Sequence, residues 1–179
     1  FDRFSIRANI EHKISDTFDL AVNSNFIQSG SQRSFSGNEN QGGLSYGYTL
    51  AYTRPWFRGY ADANGNYPDN PNASGNPIFV RDQTVNDDTN NRLIQSAKLT
   101  TNILGSEGSN LKMIWSGGID FLANETCVYV PETHQEQRGG DNGFIGVGKN
   151  NFKNYNLLGI AVWNKDAMGG DLGLTTQAG

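Results

Sequence analysis

Hydrophobic residues recur at every second position through much of this chain, the repeat of a β-strand whose side chains point alternately to opposite faces. The clearest case runs from Asn91 to Asn124. Leu111, Met113, Trp115, Gly117, Ile119, Phe121 and Ala123 fall on one side, with Lys112, Ser116, Asp120 and Asn124 on the other. Upstream, Leu93, Ala97, Leu99 and Ile103 share a face with Gln95 and Thr101, opposite Arg92, Ser96, Lys98, Thr100 and Asn102. Ile94 and Gln95 interrupt that alternation. Between the arms, Gly105 to Asn110 supplies the glycines and small polar residues that a reversing chain needs. The pattern predicts a hairpin of two long strands.

The same repeat predicts a strand over about residues 1–12, with Phe4, Ile6, Ala8 and Ile10 opposite Ser5, Arg7, Asn9 and Glu11. A second over 17–29 sets Phe18, Leu20, Val22 and Phe26 against Thr17, Asp19, Asn23 and Asn25. The central hairpin covers 91–104 and 111–124. Further strands are expected over 152–163, where the neighbours Leu157 and Leu158 leave the apolar face open, and over 171–178, with Leu172 and Leu174 on one face. Short joins at Ser15-Asp16, Gly105 to Asn110 and Asp166 to Gly170 alternate with long ones at 30–90 and 125–151, the latter with Val128 to Val130 able to continue the preceding strand.

Arms of roughly a dozen residues, tilted about 45°, project to about 30 Å, the thickness of a bilayer core. In an up-and-down sheet the alternation of joins puts every short turn at one end and every long connection at the other, as in outer-membrane barrels. The expected fold is therefore all-β, an antiparallel up-and-down transmembrane β-barrel segment of about six strands. Six strands leave two raw edges that lipid cannot satisfy, so the chain is expected to be part of a larger barrel. The alternatives are a secreted β-sandwich that binds carbohydrate and a surface adhesin. Trp115, Trp163, Phe26 and Phe121 would face lipid in a barrel and a dry core in a sandwich. Arg7, Glu11, Asn23, Asn25, Lys98, Lys112 and Asp120 would face a wet lumen or solvent.

Of 179 residues only 36% are hydrophobic and 22 are glycine, a profile of strands and long loops. A net charge of −4 argues against a partner held through nucleic-acid phosphates. The single cysteine, Cys127, excludes an internal disulfide and has no basic neighbour to activate it.

Several stretches imitate chemistry. Gly143 to Asn150, GFIGVGKN, comes within one residue of a phosphate-binding loop, but Asn150 replaces the hydroxyl that would hold Mg²⁺. The stretch is read instead as a tight loop near the membrane surface. Asp62, Asn64 and Asn66, with Asp69 following and Asp82, Asp87 and Asp88 nearby, offer oxygen ligands for a loop Ca²⁺ ion. Tyr67 stands where a calcium loop needs its glycine, so a turn and a solvated acidic loop are the simpler reading. No other cofactor is expected. His12 and His134 lie far apart without metal-ligand spacing, and Glu132 and Glu136 read as solvated loop carboxylates, so no enzyme is expected. What remains is GYTLAYTRPWFRGY, in which Tyr48, Tyr52, Trp56 and Tyr60 recur every four residues with Arg54 and Arg58 between them. Tyr48, Tyr52, Arg54, Trp56 and Tyr60 are the candidate site for a sugar or a partner protein, since such residues dominate binding hot spots. The same aromatics would also serve to fold the loop or fill a barrel mouth.

The order and spacing of FDRFSIRANIEHKISDTFDLAVNSNF, LAYTRPW, DANGNYPDNP and SGGIDFLANETCVYVPE resemble a barrel section of SusC/RagA-type TonB-dependent outer-membrane transporters. The resemblance spans nearly the whole chain and a fraction of such a protein. It implies a 22-stranded barrel in the cell outer membrane, closed by a plug and opened with energy from the TonB complex. It further implies a SusD-like surface lipoprotein as lid and glycans or oligopeptides as cargo. The plug and the segment that would contact TonB are not found in this sequence.

Overall fold

The computed structural model describes residues 1–35, 43–106, 108–140, 142–166 and 173–179. Six strands, β1 (Asp2–Lys13), β2 (Phe18–Gln32), β3 (Val85–Ser106), β4 (Ser109–Val130), β5 (Phe144–Asp166) and β6 (Gly173–Ala178), form one antiparallel up-and-down sheet in sequence order. Two helices of one to two turns, α1 (Tyr46–Tyr52) and α2 (Pro77–Gln83), and a 3₁₀ turn at Gln137–Gly139 occupy the long connections. Neither helix is long and apolar enough to cross a membrane.

The strands exceed the alternating stretches that predict them. β3 begins at Val85 rather than at 91, β4 continues to Val130, and β5 opens at Phe144 rather than at 152. Asn86 to Asn90 are polar on both faces and Phe144 and Ile145 apolar on both, so hydrophobic periodicity does not register the extensions of β3 and β5, yet cross-strand bonds hold the extended strands. Asn124 Nδ2 donates to Asp88 and to Asn90 Oδ1, the latter at 2.9 Å. Arg33 pairs with Asp88 at 3.3 Å, and Lys149 Nζ with Glu125 at 2.8 Å. The phosphate-loop-like stretch is consequently mostly strand, not a loop. Only Gly143 precedes β5, at φ 91°, in a conformation that glycine adopts without strain and hard against the Glu132 backbone. Cys127 lies inside β4. Glu107 of the hairpin turn, most of the turn expected over Asp166 to Gly170, and Leu172 lie outside the described residues.

The chain divides into two compact units. The first comprises Phe1–Asp2, Ser29–Asn90 and Asn124–Asn150, and the second Arg3–Gln28, Asn91–Ala123 and Asn151–Gly179. Among the described residues, the buried hydrophobic side chains Phe35, Phe79, Val80 and Val130 all belong to the first. The second unit is sheet with no buried apolar residue among its described residues.

Side-chain contacts fix the two faces of that sheet. Leu157 Cδ1 lies against Gly117, Trp115 covers Gly159, and Trp163 Nε1 donates to Ser109 Oγ at 3.1 Å. Trp115, Leu157 and Trp163 therefore share one face, which settles the ambiguity at Leu157 and Leu158. Asn23 bonds Ser96 at 3.4 Å, and Arg92 grips Asp120 with two parallel hydrogen bonds of 2.8 and 2.6 Å. These pairs lie on the opposite face, since Arg92, Ser96 and Asp120 alternate with the residues of the Trp115 side. Among the described residues of this unit the Trp115 face is largely apolar and exposed, with Leu157 81% and Tyr155 71% exposed.

Candidate functional site

The site is built in the first unit, from the two long connections. Ser45 caps α1, its Oγ accepting from Tyr48 N at 3.4 Å, and buried Thr49 returns a bond to the Ser45 carbonyl at 3.0 Å. One turn of helix then sets Tyr48 and Tyr52 on the same exposed side, their ring centroids 4.6 Å apart and their planes inclined at 40°. Hydrogen bonding to Tyr52 and charge interaction with it raise the Tyr48 phenol above its ordinary pKa.

After Thr53 the chain folds into a turn closed by Phe57 N donating to the Arg54 carbonyl at 3.0 Å. Pro55 supplies the second position, where its fixed φ suits such turns, and Trp56 occupies the apex. Trp56 and Tyr60 are each 70% exposed. Of the five expected site residues, the structure joins Tyr48 to Tyr52, while Arg54, Trp56 and Tyr60 stand exposed on the segment that follows.

The interior of this unit is held by other residues. Asn76 satisfies its whole side chain: Nδ2 donates to the Gly59 and Pro68 carbonyls at 2.8 and 2.9 Å, and Oδ1 accepts from Ile78 and Phe79 N at the start of α2. Phe79 packs edge-on against Tyr67 and His134, at centroid distances of 5.3 and 5.6 Å. The second long connection is pinned to the first. Gln135 accepts from Asn70 N at 2.7 Å and donates to the Asn70 and Ala73 carbonyls, and Arg138 forms an ion pair with Asp69. His134 is fully buried there. Its Nδ1 accepts from Glu136 N at 3.4 Å, and its Nε2 has no hydrogen-bond partner among the described residues. Burial lowers its pKa below the usual histidine value, the nearby Gly43 carbonyl opposing and Arg138 reinforcing the shift.

A cleft of about 510 Å³ opens beside this core, lined by Arg33, Tyr46, Val80, Arg81, Asp82 and Asp87 among others. Asp82 holds the Arg81 guanidinium through bonds of 2.6 and 3.0 Å, raising its pKa, with Tyr46 and Tyr60 adding smaller contributions. A cleft with one aromatic side chain, Tyr46, and charges of both signs can hold a polyhydroxylated or zwitterionic ligand. Sequence patterning does not single out Tyr46 or Arg81 as site residues, although Tyr46 stands two residues before Tyr48, and it takes Asp82 only as an oxygen ligand for Ca²⁺.

Of the acidic residues read as Ca²⁺ ligands, Asp62, Asp69, Asp82 and Asp88 have other partners. Asp62 closes its own turn, accepting from Asn64 and Asn66 N at 2.8 and 2.9 Å, and these bonds lower its pKa. Asp69, Asp82 and Asp88 hold Arg138, Arg81 and Arg33. Among the described residues no three acidic, histidine or cysteine side chains converge as a metal site. Glu132 and Glu136 are exposed. The chain matches no protein-family model and no curated protein.

Proposed function

We propose that this chain is a β-barrel segment of an outer-membrane, TonB-dependent active transporter of the SusC/RagA type. In this reading it imports large nutrients, glycans or oligopeptides, by binding and gated passage, without bond chemistry. The sheet is part of the barrel wall, and the long connections form the extracellular surface over which a SusD-like lipoprotein closes. The TonB complex acts through segments outside this sequence.

The observation that carries the reading is the sheet unit's uncovered apolar face, joined to the absence of any buried apolar residue in that unit among the described residues. In water such a face costs about 25 cal/mol for each Å² left exposed, whereas in lipid it is already solvated. Long strands, in-order antiparallel connectivity and long connections confined to alternate joins support the same reading. Exposed Tyr48, Tyr52, Trp56 and Tyr60 with Arg54 supply the surface for cargo or lid.

The test is gel mobility of the intact protein, extracted from outer membranes in mild detergent, with and without boiling. A heat-dependent shift together with membrane partitioning is expected. An unshifted protein, soluble in plain buffer, would sink the barrel and direct attention to a soluble sugar-binding role for the aromatic segment.

A further inference from the structure

On the Trp115 face of the sheet unit, the described residues from β2 to β6 carry two charged side chains, Lys153 and Lys165, both on β5 and both exposed. Lys153 Nζ stands 5.7 Å from the centre of the Phe121 ring, which places it on this face, and Lys165 pairs in register with Leu174 of β6. Between them β5 presents Tyr155, Leu157, Gly159, Ala161 and Trp163 to the same side. The two aromatic residues of this run lie just inside the two lysines.

At about 3.3 Å per residue, Lys153 and Lys165 are about 40 Å apart along the strand, or about 28 Å along the normal of a barrel whose strands tilt by about 45°. That is the height of a hydrocarbon core. Charge-free at every position between, aromatic at both margins and cationic beyond them, the face is complementary to a bilayer bounded by headgroup phosphates.

Resting on the barrel reading, we infer that Lys153 is a binding site for the phosphate of an anionic lipid headgroup in the outer leaflet, at the level of the Phe121 ring. Phe121 orients the ammonium through its π face while the alkyl stem lies on apolar surface. Lys153 makes no ion pair among the described residues, so its charge is available. The corresponding position on the tryptophan-lined end is marked by Lys165.

The test uses the intact protein with Cys127→Ser and Leu157→Cys, labelled with a fluorophore and reconstituted in vesicles of brominated phosphatidylcholine or brominated phosphatidylglycerol. Position 157 lies on the same face, toward the membrane centre from Lys153. Quenching by both lipids is expected, with local preference for the phosphatidylglycerol of about fivefold. Lys153→Ala should abolish that preference and Lys153→Arg should keep it. Equal quenching by the two lipids, or a preference indifferent to Lys153→Ala, would overturn the headgroup site and leave the barrel standing. No quenching by either lipid would overturn both.

Discussion

Trp115 lies over Gly159 on the neighbouring strand so closely that a β-carbon there would come within 2.6 Å of the indole Cζ3. An aromatic ring covering a cross-strand glycine replaces the packing that glycine lacks and keeps the backbone pair dry. Gly159→Ala forces the indole or the β5 backbone to move, at an expected cost of about 1–3 kcal/mol. Thermal or denaturant unfolding of the folded protein measures it, and Gly159→Ala combined with Trp115→Ala should recover part of the loss. An equally stable single variant would mean that the ring does not rest there.

Asn76 bonds four backbone groups of the first unit. Asn76→Ala removes the cap of α2 and leaves the buried Gly59 carbonyl and the part-buried Pro68 carbonyl without their donor. Loss of a cap costs about 1 kcal/mol and the buried orphan a further 1–3 kcal/mol, so a deficit of about 2–4 kcal/mol is expected. Limited proteolysis should then cut between residues 53 and 84 in Asn76→Ala while the sheet strands resist. Asn76→Asp retains the acceptor but not the donor and should fall between the two. Matching digestion patterns for all three proteins would contradict the role.

The patterns that made the fold legible stop where the chemistry of the connections begins. Trp115, Ile119 and Phe121 announce β4 because one of its faces is apolar, but Asn86, Asp88 and Asn90 give β3 no such signature. Their pairing depends on Arg33 and Asn124, far away in sequence. The helices have only seven residues each, too few for a full amphipathic repeat. Asn76-Pro77 was nonetheless a readable start signal, a capping residue followed by proline at the first helical position. The spacing of Tyr48 and Tyr52 likewise carried their association. Nothing local could reveal that Gln135 clamps Asn70 or that His134 is interior, because those roles arise only when two connections meet.

Acid should loosen the meeting point of those connections. Burial holds the pKa of His134 in the folded protein below the value near 6.5 that it regains on unfolding. The unfolded state thus binds more protons in the interval between the two, and stability rises with pH there. The contribution is intact above about 6.5 and lost by up to about 1.4 kcal/mol per unit as pH falls toward the folded pKa. Hydrogen exchange over residues 68–76 and 132–138 should quicken accordingly, beyond the intrinsic pH effect. His134→Gln should be less stable at pH 7 but flat across this interval. A wild-type profile that is flat between pH 5 and 7 would refute the lowered pKa of His134.

Tyr52 and Trp56 are the residues through which binding by the connecting segments is best probed, because both side chains are largely exposed and neither caps nor fills the core. Tyr52→Ala breaks the ring pair with Tyr48, and Trp56→Ala empties the apex of the Arg54 to Phe57 turn. Truncating an interface hot spot costs at least about 2 kcal/mol, or about thirtyfold in affinity. Under the proposed function, the double variant should therefore bind a lid lipoprotein or a glycan or peptide cargo at least that much more weakly, while a heat-dependent gel shift stays normal. Losing lipoprotein association but not cargo binding would assign the surface to the lid, and the reverse result would assign it to cargo. Unchanged uptake together with unchanged association would leave the aromatic segment without a binding role and return these side chains to the folding of the loop.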